Sequence, residues 1–178
     1  MKIIVTGGCG FIGSNFILRL HEKVDCKILN IDKLTYSGNL VNLDTIKSNY
    51  RFVKGDIYDN ELIKKSINDF RPNYIINFAA ESHVDRSIDS YSDFINTNIL
   101  GTINLLDCSL KYFNSSLDKN FRFIHVSTDE VYGSLGNNGS FTEESTYAPS
   151  SPYSASKASS DHFVNAWNKT FGLPIICL

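Results

Sequence analysis

The sequence has neither an excess of positive charge nor a long apolar run. Its seventeen Lys and Arg residues stand against nineteen Asp and Glu residues, so the formal net charge is −2. A groove for the nucleic acid backbone normally requires a basic surplus, and we therefore expect no nucleic acid partner. No apolar segment approaches the length needed to cross a bilayer, and we expect no membrane partner either.

Cysteines are few, and their spacing forms neither a metal-binding nor a redox motif. They are Cys9, Cys26, Cys108 and Cys177. We therefore expect reduced thiols and no metal site. The first residues, 1–7, indicate a strand that enters a glycine turn rather than a signal peptide. Together these features predict a cytoplasmic protein.

Short apolar segments alternate with segments of helical periodicity along the 178 residues. The predicted strands are Lys2 to Thr6, Lys27 to Ile31, Arg51 to Lys54, Tyr74 to Phe78, Phe121 to Val126 and Pro174 to Leu178. The predicted helices start at Phe11 and cover Asn60 to Phe70, about Tyr91 to Phe113 and about Tyr153 to Phe171, with a loop from Gly133 to Ser151. Unbroken apolar strands that alternate with helices predict one α/β domain, a parallel sheet with helices on both faces.

Three glycines follow the first predicted strand and open the first helix. Gly7, Gly10 and Gly13 allow a tight turn, a close approach of the backbone to a pyrophosphate, and close packing of helix on strand. The helix N-terminus then offers free N–H groups to phosphates. Asp32 closes the second strand, where its carboxylate can bind ribose hydroxyls and would repel a 2′-phosphate. This pattern favours NAD over NADP; the alternative is a tight turn without a ligand.

Residues after the third and fourth strands extend the candidate cofactor site. Asp56 could accept a hydrogen bond from the adenine amino group, or it could be a helix N-cap. Ala79 and Ala80 are small residues where a cofactor would pass close to the sheet edge.

A tyrosine and a lysine lie one helical turn apart at the start of the last predicted helix. A cation such as Lys157 favours ionisation of the Tyr153 phenol, which is otherwise a poor base at neutral pH. Lys157 could also hold the nicotinamide ribose. Such a pair also occurs by chance on amphipathic helices, but its place after a fifth strand favours a catalytic role.

Two adjacent carboxylates follow the fifth strand, preceded by Thr128. Open parallel sheets place their chemistry at the carboxyl ends of strands. Different surroundings can make one of Asp129 and Glu130 an acid and the other a base. The alternative is a solvated loop.

The chain resembles the dTDP-glucose 4,6-dehydratase family of the extended short-chain dehydrogenase/reductase type, over the length of that family's N-terminal domain. The resemblance implies a Rossmann-type doubly wound parallel sheet. It is carried by residues Thr6–Ser14, Asp32–Leu40, Gly55–Ile57, Ala79–Ile88, Ser127–Gly133 and Tyr153–Lys157.

The resemblance implies a reaction as well as a fold. Tyr153 takes the proton of the sugar 4-hydroxyl while hydride leaves carbon 4 for NAD. Glu130 then removes the proton on carbon 5, and Asp129 protonates the departing 6-hydroxyl. The hydride returns to carbon 6, which leaves a 4-keto-6-deoxy sugar. Thr128 would hydrogen-bond the 4-oxygen, and Lys157 completes the catalytic set.

The resemblance also implies further contacts. The residues implied to bind NAD are Gly7, Gly10, Phe11, Ile12, Gly13, Asp32, Lys33, Leu34, Thr35, Asp56, Ile57, Phe78, Ala79, Ala80, Ser82, Thr97, Tyr153 and Lys157. Ser82, His83 and Thr128 are implied to face the substrate, although His83 could equally be structural. His21, His125 and His162 show no evident partners and are interpreted as surface or packing residues.

Alternatives remain open. A UDP-glucose 4,6-dehydratase would share these motifs, whereas a UDP-sugar epimerase or decarboxylase would make little use of Asp129. By resemblance, GDP-mannose dehydratases carry Ser at that position and use NADP. Family members continue into a smaller substrate domain that this chain lacks, so we expect part of a longer two-domain enzyme. A catalytically inert NAD-binding fragment is a further interpretation.

The family also implies a homodimer through the two long helices, about Tyr91–Phe113 and Tyr153–Phe171.

Overall fold

The computed structural model describes residues 1–116, 120–136 and 138–178, and within them six strands form one parallel sheet. The strands are β1 Lys2–Thr6, β2 Lys27–Asp32, β3 Tyr50–Lys54, β4 Tyr74–Asn77, β5 Arg122–His125 and β6 Ile175–Cys177. Their order in the sheet is β3-β2-β1-β4-β5-β6. The predicted doubly wound Rossmann-type fold is confirmed, and the strand bounds differ from the prediction by one residue at some ends.

Helices cover the sheet between the strands. They are α1 Phe11–Lys23, α2 Asn60–Phe70, α3 Val84–Asp89, α4 Ser92–Phe94, a π-helical segment Ile95–Gly101, α5 Thr102–Ser115 and α6 Pro152–Phe171, with single 3₁₀ turns at Leu40–Leu43 and Asp129–Tyr132. The helix predicted near residues 91–113 is therefore three consecutive segments. Helix α3 was not predicted, because six residues are too few to show a helical period.

The predicted loop over residues 133–151 includes residue 137, which lies outside the described residues. The described remainder of this stretch contains turns and bends without a helix or strand. Ser151 ends it as the N-cap of α6, and Pro152 occupies the first helical position.

Two apolar clusters pack on opposite faces of the sheet. Ile4 of β1 belongs to one cluster, whereas Ile3 and Val5 belong to the other, because successive side chains of a strand point to opposite faces. Leu105 and Leu106 of α5 cover the first face, and Ile17 of α1 covers the second. Because both faces of the sheet are buried, we expect a ligand to bind at the carboxyl ends of its strands.

The strand order reverses direction between β1 and β4, and this point positions the candidate site. β1 pairs in parallel with β2 on one side and with β4 on the other. The connections after β1 and β4 leave in opposite directions, which opens a crevice beyond their carboxyl ends. No described helix is both long and apolar enough to cross a membrane. All four cysteines are free thiols.

Candidate functional site

Of the three glycines predicted to shape the turn after β1, two exclude a side chain and one has room for it. Gly7 has φ +70, and a Cβ there would lie 2.6 Å from the backbone nitrogen of Ala79. A Cβ on Gly13 would overlap the carbonyl oxygen of Gly7. At Gly10 the nearest such atom is 3.4 Å away, at ordinary contact distance. The fold itself therefore requires Gly7 and Gly13, whereas a side chain at Gly10 would fill the cleft.

Helix α1 begins at this turn without a side-chain cap. Its N-cap is Gly10, and the first turn carries no acidic residue. The unpaired N–H groups and the positive end of the helix dipole therefore face the cleft, which suits an anion such as a pyrophosphate. Phe11 and Ile12, in the same turn, are 82% and 62% exposed.

The carboxylate of Asp32 joins the end of β2 to the glycine turn. Its Oδ2 accepts the backbone N–H of Cys9 at 2.8 Å, and its Oδ1 accepts that of Leu34 at 2.8 Å. The side chain of Asn30, in the same strand, accepts the N–H of Gly8 at 3.1 Å. These bonds place a buried carboxylate directly beside the turn.

Asp56 lies at the same edge of the sheet and is not a helix N-cap. It forms an ion pair with Lys33 at 2.7 Å and accepts the N–H of Tyr58. The hydrogen bond that the Lys33 ammonium donates to Asp56 raises the pKa of Lys33. The N-cap of α2 is Asp59, which accepts the N–H of Leu62. The N-cap alternative for Asp56 is therefore wrong.

These groups share one cleft of about 330 Å³. All the residues predicted to bind the cofactor line it except Leu34, which lies behind it and packs on the core cluster around Ile3. Residues that were not predicted also line it: Ile31, Ser37, Gly38, Gly55, Glu81, Val126 and Ser127. Ser37, Gly38, Gly55, Glu81 and Ser127 lie within the segments that carry the resemblance, whereas the signal for Ile31 and Val126 was only their adjacency to predicted residues.

The capping of α6 places Tyr153 in the first turn of that helix. Ser151 and Ser154 form a reciprocal capping box, and the backbone N–H of Tyr153 donates to Ser87 Oγ at 3.2 Å. The ring packs edge-on against Phe94, with 6.4 Å between centroids. Tyr153 is thus 8% exposed and fixed at the wall of the cleft.

The phenol of Tyr153 does not have the lowered pKa expected from its neighbouring lysine. Burial raises the pKa of Tyr153, a hydrogen bond with Thr128 lowers it, and the charges of Glu130 and Asp129 raise it further. Lys157 Nζ donates instead to the carbonyl of Val126 at 2.7 Å. Burial lowers the pKa of Lys157, and the charge of Asp161 opposes that effect.

The two candidate acid–base carboxylates lie beside the cleft rather than in its wall. Thr128 caps the short 3₁₀ turn after β5 and accepts the N–H of Glu130 at 3.3 Å. Asp129 and Glu130 are exposed on that turn. Their side chains are near enough to influence the titration of Tyr153. His83, the N-cap of α3, is exposed and lies outside the cleft lining.

His125 has partners that the sequence did not reveal. It is 1% exposed, and its ring nitrogens lie 3.3 Å from Asn77 Nδ2 and 3.4 Å from Asp161 Oδ1. The prediction of a histidine without partners was wrong for this residue, although the packing role is correct. His21 contacts the carbonyl of Ser48, and His162 packs its ring on Tyr147. Sequence reasoning also missed Asp161, whose only signal was its place one turn after Lys157.

Comparison with known proteins identifies the family. The family model described as GDP-mannose 4,6 dehydratase matches residues 4–178. This chain belongs to that family. A probable dTDP-glucose 4,6-dehydratase of Sinorhizobium fredii is 52% identical over 182 residues, which cover 99% of this chain and 51% of that protein. The predicted resemblance to dTDP-glucose 4,6-dehydratases is confirmed.

Solved structures of family members agree. The dTDP-glucose 4,6-dehydratase of Bacillus anthracis in complex with NAD is 48% identical, with a TM-score of 0.86 over 99% of this chain and 53% of that chain. The Streptomyces venezuelae enzyme with NAD and TYD bound is 43% identical, with a TM-score of 0.91 over 99% of this chain and 54% of that chain. The chain spans about half the length of the curated relatives it matches.

Proposed function

We propose that this chain is the NAD-binding domain, residues 1–178, of a cytoplasmic nucleotide-sugar 4,6-dehydratase that acts on dTDP-glucose. The observation that carries the proposal is one continuous cleft. It has the glycine turn and Asp32 at one end and Tyr153 with Lys157 at the other. The relatives that are 52% and 51% identical to this chain are named as dTDP-glucose 4,6-dehydratases. These names support dTDP-glucose over other nucleotide sugars.

The cleft fits NAD. Gly10 leaves room beside the uncapped start of α1 for a pyrophosphate, and the buried carboxylate of Asp32 suits ribose hydroxyls while repelling a 2′-phosphate. The further contacts are those predicted from the sequence between Lys33 and Thr97, except Leu34. When bound, NAD would accept the hydride from carbon 4 and later return it to carbon 6.

The chain's own residues supply the proton transfers. Tyr153 accepts the proton of the sugar 4-hydroxyl, and Thr128, whose side chain lies near enough to lower the pKa of that phenol, stabilises the charge on the 4-oxygen. Glu130 removes the proton of carbon 5, and Asp129 protonates the departing 6-hydroxyl. Carbon 5 takes up a proton again when hydride reaches carbon 6. An elimination requires such an acid and base together, whereas an epimerisation does not. Ser82 and His83 contact the sugar.

We further propose a homodimer through the two long helices. Apolar side chains are exposed along them, namely Tyr91, Ile95, Leu100, Phe163 and Phe171. On α6, the rings of Phe163, Trp167 and Phe171 pack edge-to-face one after another, with centroid distances of 6.1 and 5.4 Å. A second copy would remove this apolar surface from water.

The product of the full reading frame tests the proposal. Incubated with NAD and dTDP-glucose, the protein should form a 4-keto-6-deoxy sugar, and UDP-glucose and GDP-mannose should react far more slowly. Tyr153→Phe should abolish turnover while NAD still binds. Epimerised or unaltered dTDP-glucose would overturn the proposal. The 178-residue chain alone, which lacks half the relatives' length, should bind NAD with little or no turnover.

A further inference from the structure

A buried acidic residue lies one turn beyond the lysine of the candidate active site. Tyr153, Lys157 and Asp161 follow one another at four-residue spacing on α6, so all three lie on one face of the helix. They are 8%, 3% and 1% exposed. The reaction assigned above uses the first two and leaves Asp161 without a role.

The side chains of Lys157 and Asp161 bind adjacent residues at the end of β5. Lys157 Nζ donates to the carbonyl of Val126, and Asp161 Oδ2 accepts the hydroxyl of Ser127 at 2.6 Å. The same oxygen accepts the Tyr147 hydroxyl at 3.1 Å. These bonds fix the carboxylate on the same helix face as the ammonium and beside the same end of β5, without a direct ion pair between the two side chains.

A chain of polar side chains reaches the other side of Asp161, where His125 Nε2 lies 3.4 Å from Asp161 Oδ1. Thr6 donates to Asn77 Oδ1 at 2.6 Å, and Asn77 Nδ2 lies 3.3 Å from His125 Nδ1. Because the amide nitrogen can only donate, His125 Nδ1 is the acceptor, and the proton of the neutral ring lies on Nε2, facing Asp161. Burial lowers the pKa of His125, so the ring is neutral at neutral pH and adds no positive charge.

We propose that Asp161 is a positioning residue for Lys157: its buried carboxylate is the counter-charge that keeps the Lys157 ammonium protonated beside Tyr153. Burying the Lys157 ammonium against the neutral carbonyl of Val126 costs free energy, because the charge loses its water. The opposite charge of Asp161, one helical turn away, offsets that cost. Burial raises the pKa of Asp161, but the neighbouring His125 ring, the Ser127 hydroxyl and the charge of Lys157 lower it by more, so it lies below its usual value. The carboxylate therefore stays ionised over the working range of pH.

Other titratable groups surround the pair. They are Tyr153 on α6, His125 on β5, Cys177 on β6, and Asp129, Glu130 and Tyr147 from the segment between β5 and α6. Burial raises the pKa of Cys177 to about 11. At neutral pH its thiol is therefore uncharged, and Asp161 is the anion whose charge favours the protonated lysine. Asp161 also raises the pKa of Tyr153, but this contribution ranks behind those of burial and of Glu130 and Asp129.

Direct titration of Lys157 in the 178-residue chain tests this proposal. The proposal about Asp161 rests on the proposed function only for the role of Lys157 beside Tyr153. The titration itself needs neither cofactor nor turnover. Lysine labelled with ¹³C at Cε reports its own protonation, and the Lys157 resonance is the one missing from Lys157→Met. Asp161→Asn, nearly equal in shape, should shift the Lys157 midpoint downward. Tyr147→Phe, which removes one bond to Asp161 but keeps its charge, should leave the midpoint in place.

An unchanged midpoint in Asp161→Asn with a native circular dichroism spectrum would overturn the proposal. If Asp161→Asn does not fold, the wild-type chain gives the answer through the ¹³C carboxyl resonance of Asp161. That resonance should show an inflection at the Lys157 midpoint, and its absence would also overturn the proposal.

Discussion

The buried carboxylate of Asp32 accepts the backbone N–H of Cys9 at 2.8 Å, across the gap between the end of β2 and the glycine turn after β1. The group proposed to hold the adenosine ribose thus also fixes the turn that would cradle the pyrophosphate. Changes at Asp32 should therefore affect stability and cofactor binding together.

Replacing Asp32 by Ala removes the acceptor for the N–H groups of Cys9 and Leu34. We expect the free energy of unfolding to fall by about 1–3 kcal/mol. We also expect the NAD dissociation constant to rise by at least about tenfold, because hydrogen bonds to a charged group are lost. Urea unfolding and titration calorimetry measure the two effects. Asp44→Asn, at an exposed position, is the control and should change neither; NAD affinity unchanged in Asp32→Ala would count against the site.

Gly13→Ala should damage the turn because the added Cβ meets the carbonyl oxygen of Gly7 and, at 2.8 Å, the Cα of Gly8. Overpacking of this kind costs about 1–3 kcal/mol. The matched control is Gly136→Ala, since a Cβ there meets nothing within 4 Å. Thermal unfolding should separate the two variants clearly. Equal stability of both would contradict the packing described here.

Stability should fall with acid in a range set by His125. Burial lowers the pKa of His125 from 6.5, so the unfolded chain takes up the proton more readily than the folded one. The contribution of neutral His125 to the free energy of unfolding is therefore fully present above pH 6.5. It declines as the pH falls below 6.5, by at most about 1.4 kcal/mol per pH unit for one proton. Urea midpoints for His125→Gln should show a shallower slope, while His162→Asn, at an exposed position, should follow the wild type. The same slope in all three proteins would show that His125 is not the group responsible.

Phe163→Glu should weaken the proposed dimer because it places a charge within the apolar stripe of α6. Light scattering should then show a lower mass at equal protein concentration. Asn165→Glu adds the same charge at another exposed position of the helix and should leave the assembly unchanged. A wild-type chain that is monomeric at all concentrations would remove the basis of this prediction.

The fold could be predicted from the sequence because the strand pattern and the turn residues indicated the same architecture. Unbroken apolar strands required cover on both faces, and the glycines after β1 required a tight turn, so the parallel sheet and its crevice followed. The helix predicted near residues 91–113 concealed a π-helical segment, since one extra residue per turn barely alters an apolar pattern.

The buried polar network below Lys157 could not be predicted in the same way. His125, Asp161 and Asn77 are far apart in sequence and meet only through the packing of α6 on β4 and β5. The pKa of Tyr153 shows the same limit. Four-residue spacing placed Lys157 on the same helix face, but burial, which spacing does not report, raises the pKa of the phenol.

The position of solvent hydrogen in the product tests the central claim most directly. When the full-length enzyme converts dTDP-glucose in heavy water, Glu130 should remove the proton of carbon 5, and a solvent deuteron should replace it when hydride reaches carbon 6. Carbon 6 should gain no deuterium, because its new hydrogen comes from carbon 4 of the same sugar. Nuclear magnetic resonance of the 4-keto product distinguishes the two positions. A product without deuterium on carbon 5 would contradict the account, because no base would then have acted there.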